Sequence, residues 1–357
     1  GNEQRETLES GLFSSKSGGF TGVGLQPTYQ PARDKKSEIL FCKNTTKNFG
    51  IDVVPFGAIS KDLKGEQLAE MFDMYNAGAL AFSDNMRPIH NSGLFSRALL
   101  YAKNFNGLII SFPYEEKISP NGLINEGVVS TKLGLEGIPD LSEELMVNRD
   151  LLINKYHEGR LHFNILSSKK SLEHIEVAKK TQNNLSCGTS IFHLLFDDEI
   201  INQFDNRFKI LPPFRTKEDR NALLEGVKNG TIDVLTSYHQ PNEKETTNVE
   251  FSLSPFGSIG TQICFPLALT YLKEYIGLEK IVQCMSINPR TILQCEVPII
   301  KEGYGANMTL FNPDKKWIYN KNNNTSMSEN TGLFGAELNG FVHGTIHESN
   351  YHKNLLK

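Results

Sequence analysis

The side chains best equipped for chemistry in this sequence are imidazoles and carboxylates that follow or interrupt short apolar runs. Asp84 comes directly after Phe82-Ser83, His239 lies in Tyr238-His239-Gln240-Pro241-Asn242, His193 in Phe192-His193-Leu194, and His162 inside the run 160–166. Histidine and carboxylate together can bind a divalent metal or move a proton near neutral pH. Each also has a plain structural reading. A carboxylate at a strand end as often caps a helix, and a histidine inside an apolar run, as His162 is read here, belongs to a hydrogen-bonded core. Other chemistries have weaker footing. The glycines of 19–24 do not form G-x-G-x-x-G and enter a strand instead of following one, so they are not a phosphate loop. Cys42, Cys187, Cys264, Cys284 and Cys295 are odd in number and contain no C-x-x-C pair. They read as buried thiols of a reducing cytoplasm, not as a disulfide or zinc framework.

The elements that must hold these residues are repeated β-α units. Apolar runs at 20–25, 51–58, 79–83, 107–112, 160–166, 185–190 and 233–239 alternate with longer amphipathic segments, the pattern of a parallel sheet. A first helix is expected over 3–14. A second helical segment is expected over 65–76, where Leu68, Met71, Phe72 and Tyr75 follow the spacing of a buried stripe. Seven strands fall one short of a closed (β/α)8 barrel, so the first strand is expected upstream of Gly1. The expected division is a barrel over 1–294, holding strands two to eight, and part of a small β-sandwich over 295–357, with 321–330 as its exposed loop.

Composition narrows the alternatives. With 39% hydrophobic and 22% charged residues the chain is globular, which sets aside disorder. Its 37 basic and 41 acidic side chains give a net charge of −4, so no positive field exists to hold nucleic acid. Apolar runs such as Val297-Pro298-Ile299-Ile300 are far shorter than the roughly 20 residues that cross a bilayer, and no basic-then-apolar leader opens the sequence. A soluble, cytoplasmic protein is expected.

Five blocks carry a family resemblance. Gly57-Ala58-Ile59-Ser60-Lys61-Asp62-Leu63-Lys64-Gly65-Glu66, Ala77-Gly78-Ala79 through Phe82-Ser83-Asp84, Asn125-Glu126-Gly127-Val128-Val129-Ser130-Thr131, Pro212-Pro213-Phe214-Arg215 and Asn229-Gly230-Thr231-Ile232-Asp233 resemble, in order, blocks of the dihydroorotases of the amidohydrolase superfamily. The resemblance implies a distorted (β/α)8 barrel beside a β-sandwich built from both chain ends. It also implies a site of one or two zinc ions, where a metal-held hydroxide opens a cyclic amide.

The same resemblance implies that the metal site is dismantled. The family's His-x-His-Leu-Arg-Glu-Pro-Gly would fall just before this sequence, with Gly1 at its last glycine. The substrate-binding Asn of Met-Pro-Asn-Thr corresponds to Thr28 in Gln26-Pro27-Thr28-Tyr29. Asp84 keeps a carboxylate where the family binds or bridges metal. The ligand histidine of Ser-His-Cys-Glu-Asp is Phe112, and that of His-Val-Ser-Thr is Ile165. The aspartate of Asp-His-Ala-Pro-His, both ligand and general base, is Tyr238, and the last histidine of that motif is Asn242. His239 keeps its place. His193 and Asn288 match pocket positions of the family.

Phe and Ile have no lone pair to offer a metal. The expected protein is therefore a catalytically inactive dihydroorotase homologue of pyrimidine biosynthesis, without a cofactor, with Asp84 and His239 as a residual site. Its implied partners are aspartate transcarbamoylase and a second copy of itself, as a homodimer. The alternative is an active zinc-dependent dihydroorotase or related cyclic amidase that uses Asp84 and His239.

Overall fold

The computed structural model describes residues 3–28 and 30–354; Gly1 and Tyr29, quoted above, lie outside the described residues. Its centre is a parallel sheet. Seven of its strands coincide with the seven apolar runs: β1 (Gly22–Leu25), β2 (Asp52–Pro55), β3 (Ala81–Phe82), β4 (Leu108–Ser111), β7 (Arg160–Asn164), β8 (Leu185–Ser190) and β9 (Val234–Thr236). Strands β5 (Ile124–Asn125) and β6 (Gly137–Ile138) form a separate parallel pair in the long connection after β4.

Strand β1 pairs with β2, and β3, β4, β7, β8 and β9 pair in that order. A parallel bridge between Gly57 and Phe82 joins the two groups, giving β1-β2-β3-β4-β7-β8-β9 with β1 and β9 at its ends. Helices cover the outer face, so β4 and β8 are buried along their whole length. That double burial is why these strands read as unbroken apolar runs.

Local signals fix where the helices begin and end. Thr7 and Ser10 form a capping box that starts Leu8–Ser17, a few residues beyond the expected start. Thr216 and Asp219 start Lys217–Asn229 in the same way, and Gly230 at φ 87° stops it. The expected helix over 65–76 is shorter than the stripe suggests. Only Met71–Asn76 is helical. Gly65 turns left-handed at φ 66°, Leu68 bridges back to Ser60 in extended form, and Phe72 faces solvent.

Beyond the last helix, Asn288–Leu293, the chain forms an antiparallel sheet of β10 (Asn307–Ile318), β11 (Glu337–His347) and β12 (Asn350–Lys353). It is tied to the start of β2 through Asp52, which meets His347 at 2.9 Å and both Arg290 and Asn307 at 3.0 Å. Burial would raise Asp52, but His347 and Arg290 hold its carboxyl below the usual range. The segment 321–330, expected as an exposed loop, is instead tucked against the end of the barrel. Asn330 is buried and donates to the carbonyls of Gln240 and Gly257. Four of the five cysteines are buried, and Cys295 is half-buried. No described helix is long and apolar enough to cross a membrane.

Candidate functional site at the strand ends

In a parallel β/α sheet, chemistry collects at the carboxyl ends of the strands. The positions singled out by sequence lie there, and apolar side chains dominate. Phe112, just beyond β4, is 6% exposed and packs with Tyr114 and Ile138; Met86, Leu211 and Phe256 close around them. Ile165, just beyond β7, is 7% exposed and merges with the main core. Tyr238, just beyond β9, stands edge-on to Phe192 and His193 at 6.2 and 6.4 Å between ring centroids. Its phenol accepts from the Leu211 N–H and donates to the Leu211 carbonyl, both at 2.9 Å. Burial pushes the phenol above its ordinary range, and the two bonds clip it to the Leu211 backbone.

The polar candidates are committed to the fold. Asp84 Oδ1 accepts the N–H groups of Ile59 (2.8 Å) and Ser60 (3.1 Å), and Oδ2 accepts the Ser60 hydroxyl. It therefore pins the loop after β2. Burial pushes its pKa to about 6 against the pull of those donors. His239 Nδ1 faces the N–H groups of Gly260 (3.3 Å) and Thr261 (3.4 Å), which places the ring proton on Nε2, 3.4 Å from Glu6 Oε2. Burial raises Glu6, yet its bonds from His239 and Ser326 leave it below the usual carboxylate range.

His193 is buried between the Ser190 hydroxyl (2.7 Å) and the Pro212 carbonyl (3.0 Å), and burial lowers it to about 4. His162 bonds Ser186 at 2.8 Å in the core and is lowered to about 3. Asn288 donates to the Asp233 carbonyl at 2.8 Å, Asn242 donates to the Phe256 carbonyl at 3.0 Å, and Thr28 is exposed.

Two carboxylates and an arginine that the sequence reading did not single out knit the strand ends together. They belong to or surround helix Leu141–His157. Glu143, fully buried, accepts from the N–H groups of Ser167 and Ser168 at 3.1 Å and from the Ser167 hydroxyl. Arg215 donates to the same hydroxyl at 3.2 Å and to Asn125 at 3.0 Å. Burial raises Glu143, with the Arg215 charge and the Ser167 donors pulling the other way. Asp150 accepts from Ser111 at 2.6 Å and pairs with Arg149 at 2.6 Å; burial lifts it to about 6. The loops above are clamped as well. Lys209 Nζ donates to the Phe251 and Ser254 carbonyls at 2.7 Å and sits about 5 Å from the rings of Phe251 and Phe256, its pKa lowered to about 8 by burial.

This donor set does not fit a metal ion. Among the described residues no three His, Cys, Asp or Glu side chains gather closely enough to hold one. Asp84 spends its oxygens on the 59–60 loop, and His239 turns Nδ1 to backbone N–H groups and Nε2 toward Glu6 at 3.4 Å. The ends of β4, β7 and β9 carry Phe112, Ile165 and the bonded phenol of Tyr238. Space is short too. One cavity of about 200 Å3 is lined mainly by Phe192, Phe196, Phe208 and Phe214. Another of about 140 Å3, lined by Ser14, His239, Tyr319 and Asn324, lies beneath the 321–330 segment. Both figures include space open to solvent, and neither cavity encloses room for a small molecule.

Parallel β/α strands in this order, followed by a small antiparallel sheet, define an amidohydrolase-type barrel. The solved L-hydantoinase (dihydropyrimidinase) from Arthrobacter aurescens superposes with a TM-score of 0.84 over 98% of this chain and 81% of its own, at 19% identity. The family described as Dihydro-orotase-like matches residues 1–171. A dihydroorotase of Acetivibrio thermocellus is 35% identical over 353 residues, 98% of this chain and 83% of that protein. One from Caldicellulosiruptor saccharolyticus is 36% identical, over 97% and 81%. The chain belongs to the dihydroorotase-like family of the amidohydrolase superfamily.

Proposed function

We propose that this protein serves pyrimidine biosynthesis as a non-catalytic dihydroorotase homologue, a structural partner of aspartate transcarbamoylase that neither holds zinc nor turns over dihydroorotate. The observation that carries this reading is the filling of three strand ends by Phe112, Ile165 and Tyr238 while the remaining carboxylate, Asp84, is used up by backbone N–H groups. Opening or closing the dihydroorotate ring needs an activated water and a group to carry its proton. Tyr238 is locked onto Leu211 and its proton is held far above neutral pH.

A second reading, an active zinc-dependent dihydroorotase or related cyclic amidase, is favoured by about 35% identity to proteins bearing the dihydroorotase name. One experiment separates the two. The protein with its natural N-terminus is incubated with Zn2+, freed of excess, and assayed for metal content and for conversion between dihydroorotate and N-carbamoyl-L-aspartate. The expected result is well under one ion per chain and no turnover, with co-elution of aspartate transcarbamoylase from a mixture of the two. One or two ions per chain with turnover would give the function to the second reading.

A further inference from the structure

Four Asn-Gly pairs occur in the sequence, at 106–107, 121–122, 229–230 and 339–340. In each, the glycine has no Cβ to shield its peptide nitrogen, so that nitrogen can close on the neighbouring asparagine Cγ wherever the fold permits. Three of the four are held back. Asn106 gives its amide to Gln294 Oε1 at 3.2 Å and its carbonyl to Arg160 at 2.7 Å, and the Gly107 after it is buried. Asn339 lies inside β11, paired with Lys316, and its buried Gly340 packs against Leu269. Asn121 is exposed, but the Gly122 N–H is held by the Ser119 carbonyl at 3.0 Å and the glycine lies against Ile138. Among the described residues no donor reaches the Asn121 side chain.

Asn229 and Gly230 differ on each count. Asn229 is the exposed last residue of helix Lys217–Asn229, where helix ends fray. Its Oδ1 accepts the Thr231 N–H at 2.9 Å. That bond closes a ring through Gly230, folds Cγ back toward the glycine nitrogen, and sets a donor on the oxygen that gains charge when Cγ is attacked. The Gly230 N–H is held only by a long 3.3 Å bond to the Val227 carbonyl. Around Gly230 the space is open as far as Lys280 Nζ, whose cation favours the same negative charge.

We infer that Asn229 is a self-modifying site, where the chain converts its own amide into an aspartyl or isoaspartyl linkage. The Gly230 nitrogen bonds to Cγ as it gives up its proton, the Cγ–Nδ2 bond breaks, and Nδ2 leaves as ammonia, giving a five-membered succinimide. Water then adds to either ring carbonyl, and the ring opens to aspartate or, with the main chain routed through Cγ, to isoaspartate. No oxidant or reductant enters. The product falls at a sensitive place. The Thr231 carbonyl accepts from Lys179 Nζ at 2.7 Å and Cys187 Sγ at 3.2 Å, and Asp233 takes Lys179 at 2.5 Å and the Cys187 N–H at 2.8 Å. Isoaspartate adds a main-chain atom directly before these anchors, at the entry to β9.

The test follows all four pairs in the intact wild-type chain during warm incubation in neutral buffer made with oxygen-18 water, read by peptide mass spectrometry. A parallel sample unfolded in guanidinium chloride gives the rate of each pair without the fold. In the unfolded chain the four are expected to react at similar rates. In the folded chain positions 106, 121 and 339 should slow by about 100-fold or more, whereas Asn229 should stay within about 10-fold of its unfolded rate, since a placed oxyanion donor offsets the loss of freedom. Asn229→Gln would have to close a larger, six-membered ring and should yield no product at 229. Wild type enriched in the isoaspartyl form should unfold at lower urea than Asn229→Gln incubated alongside it. Protection of Asn229 equal to that of the other three, or faster reaction at Asn121, would overturn the inference. An isoaspartyl fraction that unfolds like fresh protein would overturn its coupling to β9. Metal content and turnover play no part in these readouts, so their failure is separable from failure of the proposed function.

Discussion

Glu143→Ala is expected to lower the free energy of unfolding by about 3–5 kcal/mol, the range for removing one partner from a buried charge pair. The alanine leaves the N–H groups of Ser167 and Ser168 and the Ser167 hydroxyl without their acceptor, and it deprives the buried Arg215 guanidinium of the carboxylate that acts on it most strongly. None of these groups can reach water without reopening the end of β7. Glu143→Gln is the informative control. It keeps one acceptor oxygen but turns an NH2 toward donors, so it should cost less than alanine while still weakening the site. Urea unfolding monitored by fluorescence reads the effect as a drop in midpoint at constant slope. A loss below 1 kcal/mol for the alanine variant would mean that Arg215, and not Glu143, organises the loops after β6 and β7.

The second large effect is a pH dependence that runs opposite to that of a salt-bridged carboxylate. Burial raises Asp84 from 3.8 to about 6. Below pH 4 the group is protonated in both folded and unfolded chains and contributes no slope. Between pH 4 and 6 the unfolded chain gives up its proton while the folded one keeps it, so stability falls as pH rises; above 6 both are ionised and the slope vanishes. At about 1.4 kcal/mol per unit, the two-unit window amounts to about 3 kcal/mol. Asp84→Asn removes the titration and keeps an acceptor for Ile59 and Ser60. The stability difference between wild type and Asp84→Asn, measured by denaturation from pH 4 to 7, should therefore move by about 3 kcal/mol to the disadvantage of the wild type and level off near 6. A flat difference would mean that the hydrogen bonds to Asp84 offset its burial entirely. Asp150, raised to about 6 by the same cause, titrates over the same window in both proteins and cancels from the comparison.

The parallel sheet is legible in the sequence because its central strands are covered on both faces and pack as continuous apolar runs; β8, buried at all six positions, is the clearest case. Patterning misleads where one face of an element does not meet water as expected. The stripe over 65–76 predicts a helix that Gly65 interrupts, and Leu68 is drawn into an extended bridge with Ser60. The Asn- and Ser-rich segment 321–330 reads as solvated, yet Asn330 satisfies the carbonyls of two separate loops from a buried position.

At the strand ends, Phe112, Ile165 and Tyr238 are conspicuous only beside a family motif; composition says nothing unusual about them. Glu143 and Asp150 are the harder cases. Helix Leu141–His157 buries Glu143 and Asp150 beside Met146, Val147 and Leu151, while Leu141, Leu145 and Leu152 face solvent. Their acceptor role depends on Ser111 and Ser167, 39 and 24 residues away. No local pattern connects those positions.

The placement of the thiols gives the molecule a built-in record of its own opening. Burial raises all five above the ordinary thiol range, Cys187 to about 12 and Cys284 to about 11, so little of the reactive thiolate exists while the chain is closed. Cys295, half-buried beyond the last helix, is the first within reach of an alkylating reagent; Cys187 in β8 and Cys264 at the start of Cys264–Tyr271 come within reach only when the sheet or its covering helices part. The number of adducts on a single chain therefore distinguishes fraying from global unfolding, and mass spectrometry can count them without adding a probe to the protein.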